Sequence, residues 1–202
     1  PRGMSAGRER VPEARALMER VLRDGQSLAP EFPLVFDPGA TGHIETIVED
    51  GRVVSACAVL ERELITGAGV LPVGMIGSVA TDPACRRRGF ATRLLAAAEE
   101  RLRSAGIGLA LLWADEPSFY ELRAWRPVGA ERDLVLPCEL IDALPAPGGV
   151  RAAVDRDAHE IHALYRAHAL HVARDEAETA RLLTCPNMRV VVAEQGGRIA
   201  GS

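Results

Sequence analysis

The spacing of apolar residues in the first sixty positions changes from a helical to a strand pattern. Apolar side chains recur every three or four residues over residues 12–22, which predicts an amphipathic helix. Residues 43–48 and 53–60 are rich in strand-forming side chains and flank an Asp-Gly pair, which is typical of a β-hairpin turn. The proline- and glycine-rich residues 25–42 predict a loop with at most a short helix.

The alternation of strand and helix patterns continues to residue 136. Residues 71–81 predict a strand that stops at an Asp-Pro pair. Residues 90–104 predict a long helix with one apolar stripe and a glycine two positions beyond its end. A short buried strand is expected over residues 107–113, a helical turn over 117–124, and one or two closing strands over 126–136. This order of elements predicts a mixed α/β domain.

The pattern of the chain after residue 140 indicates the start of a second domain. Residues 141–149 have the composition of a linker. Strands are predicted over residues 150–154 and 189–193, and helices over 157–168 and 175–183.

The end of the chain repeats the first hairpin. Residues 193–199 have the pattern of residues 48–53 with one more residue in the turn, about 145 residues further along. Such a repeat predicts two copies of one fold, with a first domain over residues 4–140 and, after the linker, a partial second domain over residues 150–202. Because half a sheet cannot bury a domain core, we expect this second copy to be truncated or completed by further sequence.

Composition narrows the possible functions. The 202 residues are 48% hydrophobic and 26% charged, as in globular proteins, and the formal net charge of −4 argues against a nucleic-acid partner. All 24 basic residues are arginine, so neither a Walker-type phosphate loop nor Schiff-base catalysis is available. The apolar stretches fall far short of the ~20 residues of a membrane-spanning helix, so no membrane partner is expected.

The four cysteines are scattered along the chain, at Cys57, Cys85, Cys138 and Cys185. Their spacing is that of neither a zinc site nor a disulfide framework. We interpret them as reduced thiols, and we expect a cytoplasmic protein.

Residues 86–91, with the sequence Arg-Arg-Arg-Gly-Phe-Ala, join the predicted strand to the long helix. Backbone N–H groups at a helix N-terminus have no intrahelical partners, and the helix dipole there favours anions. Gly89 allows the backbone to approach a ligand, Ala91 is too small to block it, and Thr92 can add a hydroxyl. Residues 84–103 also carry six arginines against two glutamates. This stretch is therefore predicted to bind a polyanion.

The R-x-x-G-x-A spacing of residues 86–91 resembles motif A of the GNAT acetyltransferases, and the V-x-T-x-P of residues 79–83 resembles the strand end that precedes it in that family. The resemblance covers residues 12–137, and the chain from residue 150 onward resembles the opening of a second copy. The resemblance implies a GNAT fold, with a mixed, mostly antiparallel sheet that is splayed at the cofactor site and flanked by helices. It also implies an acetyl-CoA-dependent N-acetyltransferase that uses no metal.

The resemblance places acetyl-CoA against the strand end and the helix start. The residues that it implies for cofactor binding are Val79, Ala80, Thr81, Arg86, Arg87, Arg88, Gly89, Phe90, Ala91 and Thr92. The pantetheine arm would lie between residues 76–81 and 109–113. Backbone N–H groups near Val79 would bind the thioester oxygen as it becomes an oxyanion, and a primary amine would attack directly in a ternary complex.

Tyr120 is the candidate acid for the departing thiolate. Residues 119–125 resemble the family segment F-Y-x-x-x-G-F, with Ala124 in place of the glycine and Trp125 in place of the last aromatic residue. Residues 113–116, running into Tyr120, resemble the enhanced-intracellular-survival type, whose members carry tandem GNAT domains. A phenol with a pKa of about 10 needs favourable geometry to protonate a thiolate whose conjugate acid has a pKa of about 8.5. The alternative is that Tyr120 only packs in the core.

The sequence leaves the general base open. Asp115, Glu116, Glu45 and Glu49 lie near predicted strand ends, where each could also be a solvated surface carboxylate. A chain of water molecules is a further alternative.

Four histidines offer a different hypothesis, a metal site on the second segment. His159, His162, His168 and His171 lie on a predicted helix and its continuation, where residues three apart share a face. No carboxylate or cysteine pattern completes such a site, so no metal is expected.

Two alternatives to an enzyme stay open, a non-catalytic acyl-CoA-binding or sensing module and an oligomerisation partner. For an enzyme, the acceptor is a small-molecule or peptide amine, and the loops over residues 25–42 and 62–70 are expected to select it. An unpaired edge on the incomplete second sheet leaves a homo-oligomer open.

Overall fold

The computed structural model describes residues 10–129, 137, 148–186 and 188–201. The helices are α1 (Val11–Leu22), α2 (Pro33–Phe36), α3 (Phe90–Ser104), α4 (Pro117–Glu121), α5 (Ala158–Ala167) and α6 (Glu176–Leu183). The strands are β1 (His43–Glu49), β2 (Arg52–Thr66), β3 (Gly69–Thr81), β4 (Leu109–Leu111), β5 (Val150–Ala152), β6 (His171–Val172), β7 (Val191–Gln195) and β8 (Arg198–Gly201). Within these described ranges, no helix has both the length and the apolarity needed to cross a bilayer.

Strands β1 to β4 form the central sheet in the order β1-β2-β3-β4. β2 is antiparallel to both β1 and β3, whereas β4 is parallel to β3. The parallel connection runs through α3, since two parallel strands need a long crossover. This arrangement confirms the predicted mixed, mostly antiparallel sheet with flanking helices.

Helices cover both faces of the central sheet. α1 buries Leu17 on one face, in a cluster that includes Ile44 of β1. α3 buries Leu94 and Leu95 on the other face, in a cluster that includes Ile47 of the same strand. Residues an odd number apart in a strand point to opposite faces, which is why β1 is apolar on both sides.

The β2–β3 ladder contains a β-bulge near the end of β3. Ser78 and Val79 of β3 lie opposite a single residue of β2, Cys57. Ser78 has a φ of 50°, which is uncommon for a residue other than glycine. The β3–β4 ladder ends earlier, at the pair of Met75 with Leu111. The strands separate beyond that pair, so the predicted splay is confirmed and lies beside the bulge.

Gly74 of β3 allows α3 to pack closely on the sheet. A Cβ atom at this position would lie 2.2 Å from Leu102 Cδ1, and the Leu102 side chain is only 2% exposed. We therefore expect Gly74→Ala to lower the free energy of unfolding by about 1–3 kcal/mol through overpacking. Urea denaturation followed by circular dichroism measures this loss.

Gly77→Ala is the matched control for Gly74→Ala. Gly77 lies on the same strand, but a Cβ atom there would meet nothing within 4 Å. We expect this variant to keep its denaturation midpoint, and equal losses for the two variants would contradict the packing explanation.

Strands β5, β7 and β8 form a second, smaller sheet in the order β5-β7-β8. β7 and β8 pair around Gly196 and Gly197, so the hairpin predicted at the end of the chain is present. α5 packs on this sheet through a small core of Ile161, Val192 and Ile199. That these elements begin a second domain with the fold of the first stays a prediction.

Residues 148–201 contact the first sheet directly. The short strand β6 pairs with the part of β2 that extends beyond β1. Two ion pairs add to this contact, Arg62 with Glu178 at 2.7 Å and Arg181 with Asp37 at 2.6 Å. The second segment is therefore held against the first by backbone pairing as well as by side chains.

Three predicted segments differ most from the structure. The predicted loop over residues 62–70 is wrong, because β2 continues to Thr66 and β3 begins at Gly69, each strand pairing with the other up to the turn. β4 forms only the centre of the strand predicted over 107–113, because its ladder with β3 ends early. No strand forms over residues 126–129, and the remaining residues predicted as closing strands and most of the predicted linker lie outside the described ranges.

Candidate active site

A cleft of about 1140 Å³ opens where β3 and β4 separate. One wall is the bulged end of β3, and the opposite wall is formed by residues 113–116, which follow β4. The first turn of α3 and the side chain of Tyr120 border it on one face of the sheet. Residues 21–23 at the end of α1, with Leu28 and Phe32, border it on the other face. The cleft therefore passes through the splay of the sheet.

The start of α3 is built to present free backbone N–H groups to this cleft. Gly89 is the N-cap residue with a φ of 78°, and a Cβ atom there would meet nothing within 4 Å. Its backbone conformation thus favours glycine, although packing does not require it. Phe90, only 6% exposed, fixes the first turn in the core. The unpaired N–H groups and the helix dipole make this turn suited to an anion.

Asp82 fixes the loop that leads into α3. Its carboxylate accepts hydrogen bonds from the Ala84 N–H and from Arg20 of α1, both at 3.0 Å. Arg52 lies 3.6 Å from the same carboxylate, and the Asp82 N–H donates to the Val54 carbonyl oxygen of β2 at 2.9 Å. The beginning of the loop is therefore tied to both a helix and a strand of the core.

The three consecutive arginines of the loop have different surroundings. Arg86 and Arg87 line the cleft, and neither forms an ion pair with a carboxylate within the described residues. Arg88 does not line the cleft, because its guanidinium pairs with Glu49 Oε1 at 2.7 Å and lies 5.0 Å from the centre of the Phe90 ring. In this conformation, Arg86 and Arg87 can reach an anion in the cleft with their side chains, and Arg88 cannot.

Arg123 is a cleft residue that the sequence analysis did not identify. It follows α4, and its guanidinium donates hydrogen bonds to Thr92 Oγ1 in the first turn of α3 at 2.7 and 2.9 Å. It also stacks 3.7 Å from the centre of the Phe119 ring. Like Arg86, it has no carboxylate partner in the part of the chain that the structure describes. The one sequence signal was a cation three residues after Tyr120.

The structure distributes the predicted strand residues over two faces. Val79 and Thr81 line the cleft, as do Ala91 and Thr92 at the start of α3. Ala80 does not line the cleft, since it is 1% exposed and packs in the cluster on the α1 face. The Ala80 side chain is therefore directed away from the cleft, and its predicted contact with the cofactor would fall to its backbone.

Tyr120 lines the cleft while also packing against the core. Its ring lies edge-on to Phe119 and Trp125, with centroid distances of 5.0 and 6.3 Å. Burial, with smaller contributions from Cys57 and Asp115, raises the pKa of Tyr120 above its ordinary value of 10.0. The phenol therefore stays protonated through the physiological pH range and keeps its hydrogen-bond donor.

Cys57 lies opposite the bulge and close enough to Tyr120 to influence it electrostatically. Its side chain is fully buried, and burial together with the charge of Glu45 raises the pKa of Cys57 to about 12. Since the thiolate is the nucleophilic form of cysteine, this thiol is not poised for covalent catalysis.

The four candidate bases separate into two pairs. Asp115 and Glu116 line the cleft, and Glu116 accepts a hydrogen bond from the Ser118 hydroxyl at 2.6 Å. Glu45 and Glu49 lie away from it, because Glu45 is buried near Arg101 of α3 and Glu49 is paired with Arg88. Only Asp115 and Glu116 are placed to act on a molecule in the cleft.

The histidines of the second segment are engaged separately. His159 bonds to Glu176 at 2.9 Å, His162 bonds to Thr179 at 2.8 Å, and His171 Nδ1 donates to the His168 carbonyl oxygen at 2.8 Å. Among the described residues, no three His, Cys, Asp or Glu side chains converge in a way that could hold a metal ion.

Comparison with protein families gives a match over most of the first unit. Residues 6–128 match the model of the acetyltransferase (GNAT) domain. The matched stretch contains the central sheet, α1 to α4 and the cleft. No curated protein sequence matches the chain significantly.

Solved structures share the fold at low sequence identity. An acetyltransferase from Trypanosoma brucei is 22% identical over 67% of this chain and 99% of its own, with a TM-score of 0.52. Glucosamine-6-phosphate N-acetyltransferase from Arabidopsis thaliana is 13% identical over 68% and 99%, with a TM-score of 0.51. A conserved Enterococcus faecalis protein of unknown function is 16% identical over 98% of this chain and 53% of its own, with a TM-score of 0.67. This chain thus spans about half the length of the Enterococcus protein.

Proposed function

The chain belongs to the GNAT acetyltransferase family and is an acyltransferase, and we propose that it transfers an acetyl group from acetyl-CoA to a primary amine by direct attack in a ternary complex. The observation that carries this proposal is the cleft itself. It joins a free helix N-terminus, a bulged strand and a half-buried phenol in one continuous space.

The charges around the cleft support acetyl-CoA as the co-substrate. Arg86, Arg87 and Arg123 line it without carboxylate partners among the described residues, so their charge is available to the phosphates of a polyanion. The pyrophosphate would bind the backbone N–H groups from Arg88 to Ala91. The pantetheine arm would follow the gap between β3 and residues 113–116.

The bulge of β3 supports an oxyanion site at Val79. A β-bulge leaves one residue of the bulged strand outside the regular ladder, and the positive φ of Ser78 turns the backbone just before Val79. In our proposal the Val79 N–H donates to the thioester oxygen as it gains negative charge. Such a preorganised donor stabilises the transition state more than the ground state.

Two proton transfers complete the proposed reaction. An ammonium first loses a proton to Asp115, Glu116 or water, and the neutral amine attacks the thioester carbon. As the C–S bond breaks, Tyr120 donates its proton to the departing sulfur, and the proton released from the amine nitrogen restores the phenol through solvent. The raised pKa of Tyr120 makes it a weaker acid, so its donation depends on a short hydrogen bond formed in the transition state.

The lining of the cleft favours an enzyme over the two other functions that the sequence left open. A non-catalytic acyl-CoA sensor would be favoured by a phenol directed away from the cleft, but Tyr120 lines it. A pure oligomerisation partner would be favoured by a blocked loop after Pro83, but the cleft reaches Cys85 and Arg86.

Two measurements test the proposed function. Isothermal titration calorimetry with acetyl-CoA should show one binding site per chain, and absence of binding would exclude both the enzyme and the sensor. A thiol-release assay over a panel of primary amines should then show turnover. Binding of acetyl-CoA without turnover of any amine would favour the sensor.

Replacing Arg123 tests the electrostatic part of the site. We expect Arg123→Met to weaken acetyl-CoA binding about threefold to tenfold, as for loss of one charge-assisted contact at a partly exposed site. Arg88→Met serves as control, because Arg88 is engaged by Glu49 and does not line the cleft. Calorimetry at fixed ionic strength measures both, and a larger loss for Arg88→Met would contradict the assignment.

We also propose that the chain carries the first unit and the start of a second in a tandem protein of the enhanced-intracellular-survival type. The likeness over 98% of this chain to the longer Enterococcus protein supports two successive units. We further propose a cytoplasmic location, supported by the free thiols of Cys57, Cys85 and Cys185.

A further inference from the structure

The two ends of the cleft differ in chemistry. On the α3 face it is bordered by the helix N-terminus and by arginines that have no carboxylate partner among the described residues. On the α1 face the lining is apolar, with Val21, Leu22, Leu28 and Phe32, and Trp113 stands at the strand end between the two faces. Among the described residues that line the apolar end, the one cation is Arg23, and it is paired with Glu31 at 2.9 Å. The apolar end is therefore close to neutral.

Three large apolar side chains at this end or beside it are unusually exposed. Leu22 is 42% exposed, Phe32 38% and Trp113 71%. Other side chains of the same segments are fully buried, such as Leu28 at 1%. Exposed apolar side chains that converge on one cleft mark a binding surface for an apolar group.

Carboxylates lie beside this apolar wall. Asp115 and Glu116 follow Trp113 after one intervening residue and line the same cleft, and neither forms an ion pair within the described part of the chain. Asp115 is close enough to act electrostatically on Tyr120, which places a negative charge near the proposed reacting centre. A cation entering from the α1 face would meet these carboxylates and the tryptophan side chain.

We propose that the acceptor is a primary amine carried on a short linker by an aromatic or branched aliphatic group, such as an arylalkylamine. The apolar group lies against Leu22, Phe32 and Trp113, and the ammonium is directed toward Asp115. This inference rests on the proposed function and names its substrate class. An amino sugar or a polyamine would leave hydroxyl or amino groups against the apolar wall without partners, which disfavours their binding.

An amine panel tests the substrate class. Thiol release is measured with tryptamine, phenethylamine and isoamylamine against spermidine, glucosamine and kanamycin. We expect kcat/KM to be at least about tenfold higher for the first three, the size of discrimination that an apolar pocket achieves. Equal or better turnover of spermidine or of the amino sugars would overturn the inference and leave the proposed function standing.

Variants of the apolar wall distinguish an acceptor site from a pantetheine site. We expect Phe32→Ser and Leu22→Ser each to raise KM for tryptamine about tenfold while KM for acetyl-CoA stays unchanged. Leu170→Ser is the control, since Leu170 is 63% exposed and lies outside the cleft. If KM for acetyl-CoA rose instead, the wall would belong to the cofactor and the inference would be wrong.

Different measurements would disprove the proposed function and this inference. If no amine turned over, the proposed function would fail. Calorimetry of tryptamine and spermidine with the coenzyme A complex would still decide the inference. Tighter binding of tryptamine, lost in Phe32→Ser, would support the apolar site, and equal or weaker binding would overturn it.

Discussion

We expect the Tyr120→Phe variant to release thiol from acetyl-CoA about 100-fold more slowly than the wild-type protein at saturating amine, with little change in KM for acetyl-CoA. The variant removes one hydroxyl that lines the cleft and keeps the ring packed between Phe119 and Trp125. General acid catalysis contributes about 100-fold to 10,000-fold to a rate, so its loss is visible in kcat. Steady-state kinetics of thiol release measures it.

Tyr165→Phe is the matched control, because Tyr165 is the only other tyrosine of the chain. Its hydroxyl donates to the Val172 carbonyl oxygen at 2.7 Å and does not border the cleft. We expect Tyr165→Phe to keep the wild-type kcat. If Tyr120→Phe kept it as well at every pH, Tyr120 would have no acid role.

The pH dependence follows from the sign of the shift at Tyr120. Its pKa is raised above 10.0, so the phenol stays protonated up to a higher pH than a free tyrosine. Wild-type kcat should therefore keep the contribution of this group to a higher pH than an unshifted tyrosine would allow, and any alkaline limb due to Tyr120 should be absent from Tyr120→Phe.

We expect Gly89→Ala to weaken acetyl-CoA binding by about tenfold or more. Gly89 is the N-cap of α3 with a φ of 78°, a conformation that costs an alanine about 1–2 kcal/mol. The strain would displace the first turn of α3, and the added methyl group would occupy open space at the proposed pyrophosphate site. Calorimetry with acetyl-CoA measures the affinity, and urea denaturation measures the stability.

Gly106 provides a control at the other end of the same helix. Its φ is also 78°, and a Cβ atom there would likewise meet nothing within 4 Å. Gly106→Ala should therefore lose a similar amount of stability, about 1–2 kcal/mol, and keep its affinity for acetyl-CoA. Equal losses of affinity would mean that the strain acts through the whole helix rather than at the cleft.

The sequence predicts well those elements whose bounds depend on residues close by in the sequence. The bounds predicted for α3 agree with Phe90–Ser104, because the apolar stripe and the flanking glycines are local signals. The first hairpin and the hairpin at the end of the chain follow in the same way from their turn residues. β4 is shorter than predicted, since its length depends on where its partner β3 diverges.

The parts of the site that escaped prediction depend on contacts between distant residues. Arg123 reaches Thr92 across 31 positions of the sequence, and nothing local indicates that α4 lies over the start of α3. The pairing of Arg88 with Glu49 spans 39 positions and removes from the cleft one of three arginines that look equivalent in the sequence. The roles of Tyr120, Val79 and the loop residues stay predictions.

The hydrogen bonds of Asp82 reduce the entropy that the loop would lose on binding a ligand. A loop that becomes ordered only when its ligand arrives loses backbone freedom at that moment, and the loss weakens affinity. Here Asp82 holds the start of the loop to α1 and β2 through contacts that involve no ligand. The N-terminus of α3 is therefore preorganised, and little of the interaction energy with a bound anion is lost to immobilising the chain.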